Sequence, residues 1–132
     1  MIIGLGRLGS SIATLLSVEG EEVLVIDKND DSFRKLSDRF SGYEITGDVA
    51  DADVLENAGI KSAKTVIATT DDDNMNIFIA QICFYIYNVP NVYIRLSDNN
   101  KKKLIEDTNV KAIYPFELSM DEFKRLREKE RV

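Results

Sequence analysis

The chain opens Met1-Ile2-Ile3-Gly4-Leu5-Gly6-Arg7-Leu8-Gly9, the end of an apolar strand running through Gly-x-Gly-x-x-Gly toward a helix. This layout suits the phosphates of a nucleotide or dinucleotide. In it Gly4 permits the tight turn, Gly6 lets the backbone approach the phosphates, and Gly9 lets the helix pack close to the strand. The helix start then offers unpaired N–H groups and a partial positive charge to the anion. Glycine-rich turns are common, so the motif takes its meaning from the residues downstream of it.

Those residues make a helix and a second strand. Leu8, Ile12, Leu15 and Leu16 fall on one helical face, and Gly20 ends the helix. Val23-Leu24-Val25-Ile26 is the next strand, closed by Asp27. That acid stands roughly 20 residues beyond the glycines, where a carboxylate accepts hydrogen bonds from ribose hydroxyls. Strand, glycine turn, amphipathic helix, strand and acid make a complete βαβ unit. Lys28 comes directly after the acid. A lysine there favours a 2′-phosphate while Asp27 repels one, so the pair reads against an NADP-type ligand.

At 132 residues the chain fits one domain with a real core. Its net charge of −6 argues against a general nucleic-acid binder, whose phosphate contacts need a basic face. Histidine is absent and Cys83 is the only cysteine. That excludes thiolate–imidazole metal sites, disulfides and Ser-His-Asp triads, and Cys83 reads as a buried core thiol. With no signal peptide or membrane span visible, a cytosolic chain is expected. Three residues are few for a first strand, where about five is usual. Upstream residues are therefore expected to be missing, or Met1 to be internal to a longer protein.

Farther along, Lys28-Asn29-Asp30-Asp31 reads as a polar turn capping a helix that turns Phe33, Leu36 and Phe40 inward. Residues 43–46 form a short third strand closed by Gly47-Asp48, and a helix is expected over 51–58 with Gly59 as its stop. Asp48 has two open readings, the cap of that helix or a polar contact at the adenine and ribose end of a cleft. Residues 65–69 are a continuous apolar run suited to a central parallel strand. The acids in Thr70-Asp71-Asp72-Asp73-Asn74 read as a helix start stabilised by the dipole, ahead of a metal site.

The next helix, 76–87, is apolar nearly all round. Ile77, Phe78, Ile79, Ile82, Phe84, Tyr85 and Ile86 cannot all face one sheet, so its second face is expected to meet another chain. A fifth strand, 91–95, ends in Arg95, where ligands of open parallel sheets bind. A phosphate and a neighbouring acid are both open partners for that cation. Lys101-Lys102-Lys103 is read as a solvated helix opening, and 111–114 as an edge strand closed by Pro115. Ser119 and Glu122 have the spacing of a capping box, with Leu118 and Phe123 as its staple. A last helix is therefore expected to begin there. Its stripe of Met120, Phe123 and Leu126 is narrow, marginal alone, and suits a connector.

Together these segments resemble the RCK/KTN (TrkA-N) domain, the cytosolic regulatory unit of potassium channels and of Trk and Ktr potassium transporters. The resemblance covers essentially the whole chain. It rests on residues 4–9 with Asp27, Gly47-Asp48 with Leu55-x-x-Ala58-Gly59-Ile60 after it, residues 68–74, Arg95, and Ile113-Tyr114-Pro115. It implies an α/β, Rossmann-like three-layer fold with a six-stranded parallel sheet. Residues 1–117 would be the nucleotide-binding domain and 118–132 a crossover helix to a partner subunit. A homodimer is implied, in some members an octameric gating ring built through the helix at 77–86.

The implied ligand is NAD(H), ATP or ADP. Carried onto this sequence, Gly4, Gly6 and Gly9 hold phosphate, Arg7 reaches terminal phosphates, and Asp27 holds ribose. Asp48 and Thr70 line the adenosine side, and Leu8, Lys28, Thr69, Asp71 and Arg95 complete the cofactor-binding set. Two departures stand out. Calcium-sensing members carry acids near where this chain has Thr69, Arg95 and Ser97, and Phe116 intervenes before the Glu117 that would come straight after proline in nucleotide-binding relatives. The function expected is a ligand-sensing domain that gates potassium flux through a membrane-embedded pore partner at the inner face of the membrane, and not an enzyme. The alternatives are the cofactor half of a nicotinamide-dependent oxidoreductase and a structural assembly domain with no ligand.

Overall fold

The computed structural model describes residues 1–131. Six strands form one sheet: β1 Ile2–Ile3, β2 Leu24–Asp27, β3 Tyr43–Thr46, β4 Thr65–Ala68, β5 Asn91–Arg95 and β6 Lys111–Ile113. Every pairing is parallel, in the order β3-β2-β1-β4-β5-β6. Parallel neighbours need crossovers. These come from helices α1 Arg7–Val18, α2 Ala52–Asn57 and α3 Asp73–Tyr85 and from 3-10 segments at Asp30–Lys35, Ile60–Ser62 and Asn99–Leu104. The strand order reverses between β1 and β4, which opens a crevice at the carboxyl ends of those strands.

Alternation along the strands sends side chains into two cores. Ile3, Ile26, Val66, Ala68, Val92 and Ile94 meet α2 and α3 on one face, while Ile2, Val25, Ile67 and Tyr93 meet α1 on the other. β1 is short but central: Ile2 pairs with Val25 on one side and Ile67 on the other, and both its residues are buried. Cys83 lies in the first core, and burial pushes its thiol pKa up to about 12. The core reading of that cysteine holds.

Several local expectations are corrected. The inward face of α1 is Ala13 with Ile12 and Leu16, spaced to meet the sheet, whereas Leu15 is exposed. The segment carrying Phe33 is a 3-10 helix with Asn29 as its cap, yet Phe33, Leu36 and Phe40 do pack on the α1 core. The three lysines fall in the last turn of the 3-10 helix Asn99–Leu104 and not its first; that end is the one a helix dipole favours for cations. The final helix, α4, spans Pro115–Glu130 with proline at its start. Proline lacks the N–H that a first turn leaves unpaired, so it opens the helix and outcompetes the Ser119 capping box. Leu118 and Phe123 are both exposed, so no staple forms.

Candidate functional site

A cavity of about 540 Å³ opens at the strand-order reversal. Its walls come from the glycine turn (Gly4, Leu5, Gly6), the end of β2 and the loop after it (Asp27, Lys28, Asn29), and the end of β4 with the start of α3 (Thr69 to Asp72, Met75). Ser32 and Lys35 close one rim, Asp48 and Val49 another, and Arg95 reaches in from the end of β5.

The three motif glycines have three different reasons to be glycine. Gly4 has φ +91°, and a Cβ there would stand 2.7 Å from the Thr70 nitrogen. Gly9 lies under the turn, where a Cβ would meet the Gly4 carbonyl oxygen at 2.2 Å. Both are required by the packing of the turn on β4 and α1. Gly6 is different: its φ is −79°, and a Cβ would find no protein atom within 4 Å. Gly6 is also one of the residues lining the cavity, and no protein atom requires it to be glycine.

The start of α1 supports the same reading. α2 and α3 are capped by the side chains of Asp51 and Asp72, but Gly6 gives α1 no side-chain cap. Its first N–H groups are left to water or to an anion. Thr69 is buried, and its hydroxyl donates to the Gly4 carbonyl at 2.8 Å, so it braces the turn. Asp27 accepts the Leu5 N–H at 2.8 Å and the Asn29 N–H at 2.9 Å, one on each oxygen.

At the far wall, Asp48 accepts the Ala50 N–H at 2.9 Å, while Asp51 caps α2. Of the two readings of Asp48, the helix cap is therefore excluded, and its second oxygen remains open at the cavity wall. Asp72 caps α3, accepting from Asn74 and Met75. Asp73 accepts the backbone N–H groups of Ser97 and Asp98, both at 2.9 Å. The acid run thus has structural work, and no cluster of metal-ligating side chains occurs among the described residues.

Arg95 makes no ion pair among the described residues, although Asp48, Asp71 and Asp72 line the same cavity. Of the residues expected at the site, Gly4, Gly6, Asp27, Lys28, Asp48, Thr69, Thr70, Asp71 and Arg95 line this cavity. Arg7 projects from the exposed start of α1, Leu8 is half-buried and Gly9 is buried beneath the turn; none of the three is part of the wall. Glu117 lies away from it, bonded to the Asn99 side-chain amide. Sequence reasoning missed Asn29, Ser32, Lys35 and Met75, which the crossover loops bring to the rim. It also missed Asn76, which among the three side-chain amides of α3 (Asn74, Asn76 and Gln81) is the one that is buried.

A six-stranded parallel α/β domain with a glycine turn, an acid at the end of β2 and a cavity at the strand reversal defines a Rossmann-like architecture. Within it, the chain belongs to the TrkA-N domain family, whose pattern matches residues 1–115. It is 33% identical over 125 residues to "Trk system potassium uptake protein TrkA" of Streptomyces coelicolor, covering 95% of this chain and 56% of that protein. It is 37% identical over 116 residues to "Trk system potassium uptake protein TrkA homolog" of Pyrococcus horikoshii, covering 86% and 50%. The chain thus spans about half the length of these relatives. Among solved structures it is similar to the TrkA-N domain of inner membrane protein ybaL from Escherichia coli, with TM-score 0.82 and 17% identity over 95% of this chain and 93% of that one. A second is the NAD(P)-binding domain of an exopolyphosphatase-related protein from Archaeoglobus fulgidus, with TM-score 0.74 and 21% identity over 97% of each. Both likenesses are of fold.

Proposed function

We propose that this chain is a ligand-sensing regulatory domain, not an enzyme, that binds NAD(H), ATP or ADP and gates potassium transport through a membrane-embedded pore partner. The observation that carries the ligand is the open cradle at Gly6 in front of the uncapped α1. Phosphate lies against that turn, ribose against the free lone pairs of Asp27, and adenine between Asp48, Val49 and Thr70. Arg95 and Lys28 supply positive charge. The names of the relatives as potassium uptake proteins support the transport context and favour regulation over the oxidoreductase alternative.

Regulation requires assembly, because a ligand acts by favouring one arrangement of paired domains over another. Two helices offer surface for it. α3 exposes Phe78, Tyr85 and Ile86, while α4 has no buried residue and exposes Phe116, Leu118, Phe123 and Leu126. We assign α4, with the connector from residue 118 onward, to a homodimer and α3 to further ring assembly. Among the described residues no helix is long and apolar enough to cross a membrane. On this reading the domain works at the cytoplasmic face, held there by its pore partner.

Calorimetric titration with NAD+, NADH, ADP and ATP tests the ligand, with Gly6→Val as the control that fills the cradle. Binding of one ligand by the wild type and loss in Gly6→Val is the expected result. No binding of any of the four at millimolar concentration overturns the nucleotide reading.

A further inference from the structure

Asn76 is fully buried on α3 and belongs to none of the nucleotide-binding motifs. Its side-chain nitrogen donates to the carbonyl oxygens of Thr70 at 3.0 Å and Arg95 at 2.8 Å. Its side-chain oxygen accepts from the Thr70 N–H at 3.0 Å and the Thr70 hydroxyl at 2.7 Å. Two donated and two accepted bonds are the whole capacity of an amide arranged this way. The orientation is fixed by the partners: turning the amide over would set its oxygen against two carbonyls and its NH₂ against an N–H.

The partners are the ends of β4 and β5, the two walls that frame the cavity beyond the glycine turn. Thr70 and Arg95 both line that cavity, and they are held from behind by one side chain. The Thr70 hydroxyl also accepts the Asp72 N–H at 3.2 Å, which carries the connection to the cap of α3. Arg95 itself makes no ion pair among the described residues; its backbone is held by the pairing of β5 with β6 and, on the α3 side, by Asn76.

We propose that Asn76 is the positioning residue of the nucleotide cleft, fixing Thr70 and Arg95 relative to one another so that the Arg95 guanidinium meets ligand phosphate. This role rests on the nucleotide-binding reading of the cavity. A well-placed charged hydrogen bond contributes enough that losing its alignment weakens binding about tenfold. The share of that loss that belongs to the Arg95 contact disappears when Arg95 is already gone.

A double-mutant cycle tests this: wild type, Asn76→Ser, Arg95→Gln and the double variant, each titrated with NADH, ADP and ATP and each melted. Asn76→Ser is expected to weaken the preferred ligand about tenfold or more, and to add clearly less than that in the Arg95→Gln background. Additive losses, or unchanged affinity in Asn76→Ser, overturn the proposal while leaving the nucleotide reading intact. If the wild type binds none of the ligands, that reading fails and the positioning role falls with it. Should Asn76→Ser not fold, ¹⁵N NMR on the wild type decides. The Asn76 side-chain amide is expected to exchange slowly and to shift at ligand saturation. Rapid exchange, or no shift, overturns the role.

Discussion

Asp27 and Leu5 are joined on the β2 side of the cleft: the carboxylate of one accepts the backbone N–H of the other at 2.8 Å, so the acid at the end of β2 holds the glycine turn. Its other oxygen holds the loop after β2 through Asn29. A carboxylate has about four lone-pair positions, so about two remain open to a ligand. Asp27→Ala is therefore expected to do two things at once. It should cost roughly 1–3 kcal/mol of stability and abolish nucleotide binding. Urea unfolding beside calorimetry separates the effects, and a variant as stable as the wild type would show that the two bonds contribute nothing.

The glycines allow a cleaner separation. Gly6→Ala meets no protein atom and needs no unusual backbone, so its stability should stay within about 1 kcal/mol of the wild type. Binding should nonetheless fall sharply, because the new methyl stands where the ligand must approach the backbone. Gly4→Ala and Gly9→Ala should behave in the opposite order, losing roughly 2 kcal/mol or more through strain and overlap with Thr70 and the Gly4 carbonyl. Thermal melts paired with titrations would expose the contrast, and equal destabilisation at all three positions would refute it.

Cys83 sets an alkaline limit. Its thiol pKa is ordinarily near 9.0 and is raised to about 12 in the fold, chiefly by burial. Between those values the unfolded chain has lost a proton that the native state keeps. The stability this group supports is thus complete below about pH 9 and falls by roughly 1.4 kcal/mol per pH unit as pH rises toward 12. Cys83→Ala should be less stable at neutral pH, through lost packing, but should show a shallower decline across that window. Denaturation midpoints at successive pH values would reveal the difference in slope. Parallel slopes would mean that the thiol is not buried in solution.

Much of this architecture can be read from local sequence because its signals are local. The glycine turn, Asp27, the six strand segments and the cap positions depend on neighbours a few residues away. The misreadings arise where two local rules compete or where distance intervenes. Pro115 and Ser119 both mark helix starts, and the proline prevails because it comes first on a chain already turning away from β6. Asp48 and Asp51 are both suited to capping α2, and only the fold shows which carboxylate faces the cavity. The role of Asn76 depends on Arg95, which becomes its neighbour only when β5 pairs with β4.

The exposed apolar faces predict assembly that mutation should take apart in two stages. Tyr85 and Ile86 are 62% and 64% exposed at the end of α3, and Phe84 already meets the Tyr85 ring edge-on, 4.9 Å between centroids. Leaving those side chains in water gains nothing for the monomer, whereas burying each one against a second chain contributes roughly 1.5–3 kcal/mol. On α4, Phe123 and Leu126 form a separate stripe on a helix that buries none of its residues. Tyr85→Glu with Ile86→Glu should therefore remove any species larger than a dimer while leaving the dimer in place. Phe123→Glu with Leu126→Glu should instead release monomer. Neither pair touches the core, so circular dichroism should be unchanged in both. Sedimentation velocity distinguishes the species directly. A wild type that sediments as a monomer at all concentrations would remove the basis for both interfaces, and with it the means by which nucleotide binding could be transmitted to a pore.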